Sequence, residues 1–430
     1  MGVLIPLVLI AFTCLLIWRA CDGFEVASEY IGRNLSEGVR GGTINAISSS
    51  IPELFTTLIA LFVLSDADGF SIGIGTTAGS ALFNGMIIPA ACIVSVVGFV
   101  IMGVRVTSVN VSTKVLLRDG ISLIACEFVL ILLINGTRLH WWQGLVLIVI
   151  YCIYLVCMLW TMKAAPQEDV KDESSRHGED DAVEQGASPI GRLFYWLSGG
   201  PLLDLEFHFV KDRHREQIKQ ETWNGWGLLV ASTAIIGVAC WLLVTACEWL
   251  GTGPGNEAHP HYVLFGRQYS GMGMPAMFVA VIFASMATSV PDTVISIRDA
   301  RDGDYDDAVA NALGSNIFDI CFALGFPLFL FTLIHGPIVM SEDVAQQSGE
   351  LRLLLLTLTI VGFCVYYLGK RGKTAGGVPY VEMKRGKAVV LLLIYVVFVA
   401  YIVARSQDVP WANELSGLLR TVLDWLPRFG

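Results

Sequence analysis

The chain has 430 residues, of which 54% are hydrophobic and 15% charged, with a mean hydropathy of +0.63 and a formal net charge of −10. So few charges cannot cover the surface of a soluble protein of this length, so a soluble enzyme or nucleic-acid-binding domain is excluded and an integral membrane protein is expected.

Runs of about 20 apolar residues, the length a helix needs to cross a bilayer, lie at 2–18, 42–64, 72–103, 115–135 and 141–162. Five more follow at 225–250, 272–297, 306–333, 351–369 and 387–404. The expected fold is all-α and polytopic, with ten transmembrane helices in two sets of five. The first run, Gly2 to Trp18, has no basic residue before it and only Ala20-Cys21 as a cleavage-like stretch after it. It is read as a retained helix and not a signal peptide, because its removal would leave nine spans.

Residues 164–222 break the composition: Gln167-Glu168-Asp169 through Gly178-Glu179-Asp180-Asp181 is acidic and poor in aliphatics. They are read as a cytoplasmic linker, mobile in its first half and with an interfacial helix from Leu202 onward. The acidic run lacks the fixed oxygen spacing of a calcium loop and is read as a solvated tether. The expected division is 1–163 for the first repeat, 164–222 for the linker, 223–407 for the second repeat and 408–430 for an amphipathic tail. Most of the ten cysteines fall inside apolar runs and none forms a CxxC pair, so they read as small packing residues.

Lys and Arg concentrate on the cytoplasmic side of membrane proteins. With the first residue placed outside, 22 of the 28 basic residues fall in inner segments, leaving Arg138, Arg267, Arg352, Arg405, Arg420 and Arg428 outside. Both termini are then expected outside. Two sets of five spans must enter the membrane in opposite directions, the inverted-repeat plan of secondary transporters.

One short pattern occurs twice: Ser49-Ser50-Ile51-Pro52-Glu53 and Thr288-Ser289-Val290-Pro291-Asp292. Burying a carboxylate at membrane depth costs about 2.5 to 3.5 kcal/mol on insertion scales, so a matched pair asks for a ligand. Helical spacing puts Ser49, Ser50 and Glu53 on one face, and Thr288, Ser289 and Asp292 likewise. Pro52 and Pro291 cannot donate to the carbonyls of Ser48 and Ala287, which frees further oxygens. Hydroxyls, carbonyls and a carboxylate form the oxygen set a hard cation requires.

A second pair follows. Gly79-Ser80-Ala81-Leu82-Phe83-Asn84 and Gly314-Ser315-Asn316-Ile317-Phe318-Asp319 each place Ser and an amide or acid four residues apart on one face. Singly, each hydroxyl or glycine has an ordinary reading, bonding back to the preceding turn or allowing close helix packing. Three acids with no Lys or Arg at the same depth have none. The candidate metal ligands are Glu53, Asp292, Asp319, Asn84, Ser49, Ser50, Thr288, Ser289, Ser80 and Ser315.

These residues resemble the two alpha repeats of the calcium/cation antiporter superfamily, in particular its sodium/calcium exchangers. Ser-Ile-Pro-Glu-Leu-Phe-Thr, Gly-Ser-Ala-Leu-Phe-Asn and Gly-Ser-Asn-Ile-Phe-Asp-Ile lean toward the potassium-dependent branch. The likeness covers roughly 41–103 and 275–330. It implies that Glu53 and Asp292 are the central calcium and sodium ligands and that Ser49, Ser50, Thr288 and Ser289 supply further oxygens. Ser80 and Ser315 resemble sodium ligands, with Asn84 and Asp319 flanking the centre. An acid at the Asp319 position marks potassium-dependent members, although prokaryotic members also carry it. The first and sixth spans would be the moving gate. Ser48 and Ala287 stand where the family has glycine, and Ser285 where it has a small apolar residue.

The expected function is calcium/sodium antiport at a mid-membrane acidic site, with potassium as a further transported ion. A proton/calcium or other divalent-cation antiporter is the alternative, but that family carries Gly-Asn-Ala-Ala-Glu in place of the motif seen here. A channel would want a ring of like residues around a pore. No HExxH or nucleophile set marks an enzyme, and no cofactor is expected. The expected partners are the inorganic cations and the lipid bilayer, in a plasma or bacterial inner membrane, with the protein monomeric or weakly oligomeric. Three features stay outside this scheme. Glu127 lies deep in the fourth span without a counterpart, either as a protonated acid or as an extra proton or potassium determinant. His259-Pro260-His261 with Glu257 reads as a solvated loop before a metal site. Asn135-Gly136-Thr137 is a sequon in a short outer loop.

Overall fold

The structure is a computed structural model that describes residues 1–31, 46–64, 67–101, 104–163, 196, 199–211, 213, 217–218, 222–254, 259–373 and 377–428. Helices run through all ten apolar stretches. In the first half these are α1 (Leu4–Ile31), α2 (Ala46–Ser49), α3 (Ile51–Leu64), α4 (Ala67–Val96), α5 (Thr113–Leu133) and α6 (Trp141–Lys163). A short helix α7 (Leu205–Phe209) precedes α8 (Trp226–Gly251). Then come α9 (Ala276–Val279), a π-helical turn (Ala280–Ala284), α10 (Ser285–Thr288) and α11 (Val290–Asp302). The next membrane helix is α12 (Tyr305–Phe318), a second π-helical turn (Asp319–Ala323) and α13 (Gly325–His335). Last are α14 (Glu342–Tyr367), α15 (Arg385–Ser406) and α16 (Pro410–Leu423).

Among the described residues seven helices are long and apolar enough to cross a membrane, and an eighth crossing results if the segments Ala276–Thr288 and Val290–Asp302, bent by 44° to one another, count as one span. The chain is therefore a multi-pass membrane protein. The expected bounds shift in three places. The first helix continues 13 residues past Trp18, because Arg19, Asp22 and Glu25 break the apolar run without breaking the helix. The third ends at Val96, where Gly98 takes φ +94 and the chain turns into a hairpin. The ninth begins at Glu342, where the Ser341 hydroxyl caps the Val344 amide.

Short strands join loops and qualify the all-α expectation. β3 (Val109–Ser112) pairs antiparallel with β9 (Pro379–Met383), and β4 (Arg138–Leu139) with β7 (Ile338–Val339). Both pairings link a loop of the first half to a loop of the second. β1 (Val100–Ile101) with β2 (Val104–Arg105), and β5 (Tyr262–Leu264) with β6 (Arg267–Tyr269), are local hairpins, while β8 (Arg371–Lys373) extends the β3–β9 pair.

Small residues set the depth of packing. A Cβ on Gly79 would stand 2.2 Å from the Val281 carbonyl oxygen, and one on Gly75 2.4 Å from that of Met277, so α4 lies directly on the α9 segment. Gly144 of α6 would meet Gly325 O at 2.5 Å. α1 lies along α8, with Gly23 beside Leu228 and Ser232, and Tyr30 edge-on to Trp223 at 4.9 Å. Arg19 of α1 pairs with Asp204 at 3.2 Å, and the Asp204 carboxylate caps α7 by accepting from Phe207 N at 2.9 Å. Among the described residues, the segment expected to be helical from Leu202 onward includes the five-residue α7. Most of the linker, including the acidic run at 167–181, lies outside the described residues, as does Glu257.

α16 packs on α14 and α15 through Glu350, which accepts from Tyr401 and from Ser416 (2.5 Å) and stands within 3.5 Å of Arg405 and 3.7 Å of Arg420. Asn135 Nδ2 donates to the carbonyls of Leu423 and Pro427 at the end of α16 (3.5 and 3.2 Å). The sequon asparagine is therefore engaged in packing.

Candidate metal centre

Each proline motif sits at a break in its helix. Pro52 and Pro291 are the second residues of α3 and α11, where the missing N–H costs nothing, and the chain turns at Ser50 and Ser289 immediately before. Glu53 and Asp292 therefore fall in the first turns of α3 and α11, where free backbone amides favour an anion. All ten candidate ligands are buried, none more than 1% exposed.

The structure brings all ten together. Ser80 Oγ lies 3.2 Å from Glu53 Oε1, 3.0 Å from Asp319 Oδ2 and 2.9 Å from Ser289 Oγ. Asn84 Nδ2 donates to Asp292 Oδ2 at 2.9 Å, to Ser315 Oγ at 3.1 Å and to Ser80 Oγ at 3.4 Å. The remaining hydroxyls are exchanged between the halves: Thr288 stands beside Glu53, Ser49 beside Asp292 and Ser50 beside Asp319. Opposed helix breaks place each motif's hydroxyls against the acid of the other half.

Three hydroxyls also show the ordinary behaviour of membrane serines and threonines. Ser49 donates to Ala46 O, Thr288 to Ser285 O and Ser315 to Ala312 O, at 3.2 to 3.3 Å. Spending the proton on the backbone leaves the oxygen lone pairs turned into the site. The two readings of these residues are compatible.

The donors do not suffice for the acids. Ser80 has one proton and faces two carboxylates, so it can satisfy only one of them. Glu53 Oε2, Asp292 Oδ1, Asp319 Oδ1, Asn84 Oδ1 and Ser50 Oγ have no hydrogen-bond partner. Among the described residues no Lys, Arg or His forms an ion pair with any of the three acids. Ser80 and Asn84 stand between the carboxylates, and among the described residues no three His, Cys, Asp or Glu side chains converge into a ready-made metal cluster. The arrangement is an acceptor-rich ring around a serine and an amide. Uncompensated buried carboxylates cost several kcal/mol each, and a cation removes that cost.

One residue was missed. Asn316 is fully buried and its Nδ2 donates to Ala81 O at 2.8 Å, while its Oδ1 is unpartnered. It ties the turn carrying Ser315 to the turn carrying Ser80. Its signal lay inside the second motif, but the first repeat has Ala81 at the same place, and a search for matched pairs passes over it. The gate expectation meets direct contacts: Ser28 of α1 lies 2.9 Å from Ser48, and Cys240 of α8 donates to Pro52 O at 3.5 Å.

The profile of the sodium/calcium exchanger protein family matches residues 5–160 and 224–404, more than half of the chain. Sodium/potassium/calcium exchanger 5 of Homo sapiens is 23% identical over 422 residues, covering 84% of this chain and 76% of that protein. Sodium/potassium/calcium exchanger 4 of Homo sapiens is 24% identical over 515 residues, covering 89% and 78%. The solved structure of an H+/Ca2+ exchanger, CAX, superposes with a TM-score of 0.55 at 10% identity, over 97% of this chain and 89% of that one, a likeness of fold.

Proposed function

Because the chain belongs to the sodium/calcium exchanger protein family, we propose that it exchanges calcium for sodium across a membrane, with potassium moving as well, as in the potassium-dependent branch its relatives are named for. The observation that carries the site is the set of buried, unpartnered oxygens on Glu53, Asp292, Asp319 and Asn84. These four, with Ser49, Ser50, Ser80, Thr288, Ser289 and Ser315, are the proposed ligands of the transported cations.

Calcium and sodium compete for one oxygen set. The three acids carry three negative charges, which calcium with one monovalent ion, or several monovalent ions, can neutralise, and calcium and sodium cannot fill the same oxygens at once. A site with bare acids resists enclosure in a low-dielectric interior, and a loaded site does not. Only loaded states then change access, which converts competition into exchange. Ser28 of α1 and Cys240 of α8 touch the segment around the first motif, so movement of this helix pair would open or close the way to it.

We further propose ten crossings as two oppositely inserted sets of five, 1–163 and 223–407, with 164–222 on the cytoplasmic side, 408–430 as an outer amphipathic tail and both termini outside. The basic residues support this orientation, and the opposed helix breaks support the inverted plan. The working unit is a monomer or a weak oligomer in a lipid bilayer.

The deciding experiment is calcium uptake into proteoliposomes preloaded with sodium. Uptake driven by the outward sodium gradient, and raised by potassium, is the expected result. Uptake that follows a proton gradient and ignores sodium would overturn the reading.

A further inference from the structure

Glu127 of α5 is a fourth buried acid, 1% exposed and outside the exchange site. Its Oε1 accepts from Thr359 Oγ1 of α14 at 2.8 Å, and its Oε2 has no hydrogen-bond partner. Thr359 lines a crevice of about 10 Å³ together with Gly85 of α4, Leu313 of α12 and Tyr366 of α14. That is room for about one water molecule. The Tyr366 hydroxyl is likewise buried and unpartnered.

Among the described residues no cation faces this carboxylate. On its own helix, Cys126 turns to Cys321 in the second π-helical turn, and Arg118 is paired with Asp119 at 2.6 Å, roughly 13 Å away by helix rise. On α14, Arg352 donates to Ser348 O at 2.9 Å, about 10 Å before Thr359. Asp319, beyond the end of α12, is engaged with Ser80. The four side-chain oxygens of Glu127, Thr359 and Tyr366 fall short of the six or more that a hard metal ion takes. A proton needs one.

We propose that Glu127 Oε2 binds a proton, making Glu127 and Thr359 a protonation site separate from the exchange site. Its loss would leave a bare carboxylate beside the crevice whose walls, Gly85 and Leu313, adjoin Asn84 and Ser315 on the same helices. Exchange therefore falls as the proton leaves at rising pH.

Infrared difference spectra of the calcium-loaded protein, wild type minus Glu127→Gln, test this without a transport assay. The expected result is a protonated-acid carbonyl band in wild type that is lost in Glu127→Gln and moves to higher frequency in Thr359→Val, where the donor to Oε1 is gone. In proteoliposomes the alkaline fall of exchange should be lost in Glu127→Gln. A difference spectrum showing only carboxylate bands, or bands sensitive to sodium or potassium, would overturn the proposal in favour of a metal ion. If Glu127→Gln does not fold, an unmoved acid band in Thr359→Val overturns it equally.

Discussion

Asn84 donates from Nδ2 to Asp292 Oδ2 at 2.9 Å, joining an amide of the first half to an acid 208 residues later. The matching position in the second half is Asp319, so the site holds three charges and one amide. Asn84→Asp would replace the donor by a fourth carboxylate at hydrogen-bond distance from Asp292, a like-charge contact that only a cation relieves. We expect a lower melting temperature than wild type in calcium-free detergent solution and a larger upward shift on adding calcium. Equal shifts in the two proteins would contradict the three-charge description.

Glu53 and Asp292 lie in the first turns of α3 and α11 and each keeps one oxygen without a protein donor among the described residues. Glu53→Gln and Asp292→Asn should each weaken calcium binding by at least about 100-fold, beyond what loss of a supporting contact costs. Calcium at about 100 times its dissociation constant should stabilise the wild type by about 2.7 kcal/mol. Both variants should lose that stabilisation at the same calcium concentration and should show no sodium-driven uptake.

Asp319 reaches the centre through Ser80, at 3.0 Å, with Ser50 beside it. Asp319→Asn keeps the side-chain shape while removing one charge, so one monovalent cation fewer is needed for neutrality. Sodium-driven calcium uptake should persist and should no longer respond to potassium. A potassium response equal to that of wild type would rule out this assignment.

Gly79 precedes Ser80 and has no room for a side chain, since its Cβ would stand 2.2 Å from Val281 O. Gly79→Ala must push α4 away from the first π-helical turn, at a cost of about 1 to 3 kcal/mol. The displaced Ser80 should also weaken exchange although no ligand is altered. Gly386→Ala, in open space at the start of α15, is the control and should leave the melting temperature unchanged.

The positions of the helices and the meeting of the motif side chains were legible because residue type alone carries them: apolar runs mark helices, and acids beside prolines in those runs mark a candidate site. What each group touches was not. The matched repeat points to one pooled site but not to its pairings: Ser49 stands by Asp292 and Thr288 by Glu53, because pairing is fixed by how two broken helices oppose each other. Asn316 was hidden by the alanine at its matching position. The lower part of α1 was lost to its charges, which Arg19 resolves by pairing with Asp204. The strand pairs of two to five residues rest on backbone contacts between distant loops and have no local pattern to read.

The two halves hold each other at the β3–β9 and β4–β7 ladders, along α1 and α8, and through Asn84 to Asp292. None of those contacts needs the covalent link between Lys163 and Trp196. Two separate polypeptides, 1–163 and 196–430, should accordingly find one another when made in the same cell, co-purify through a tag on either piece, and restore an exchanger that neither forms alone.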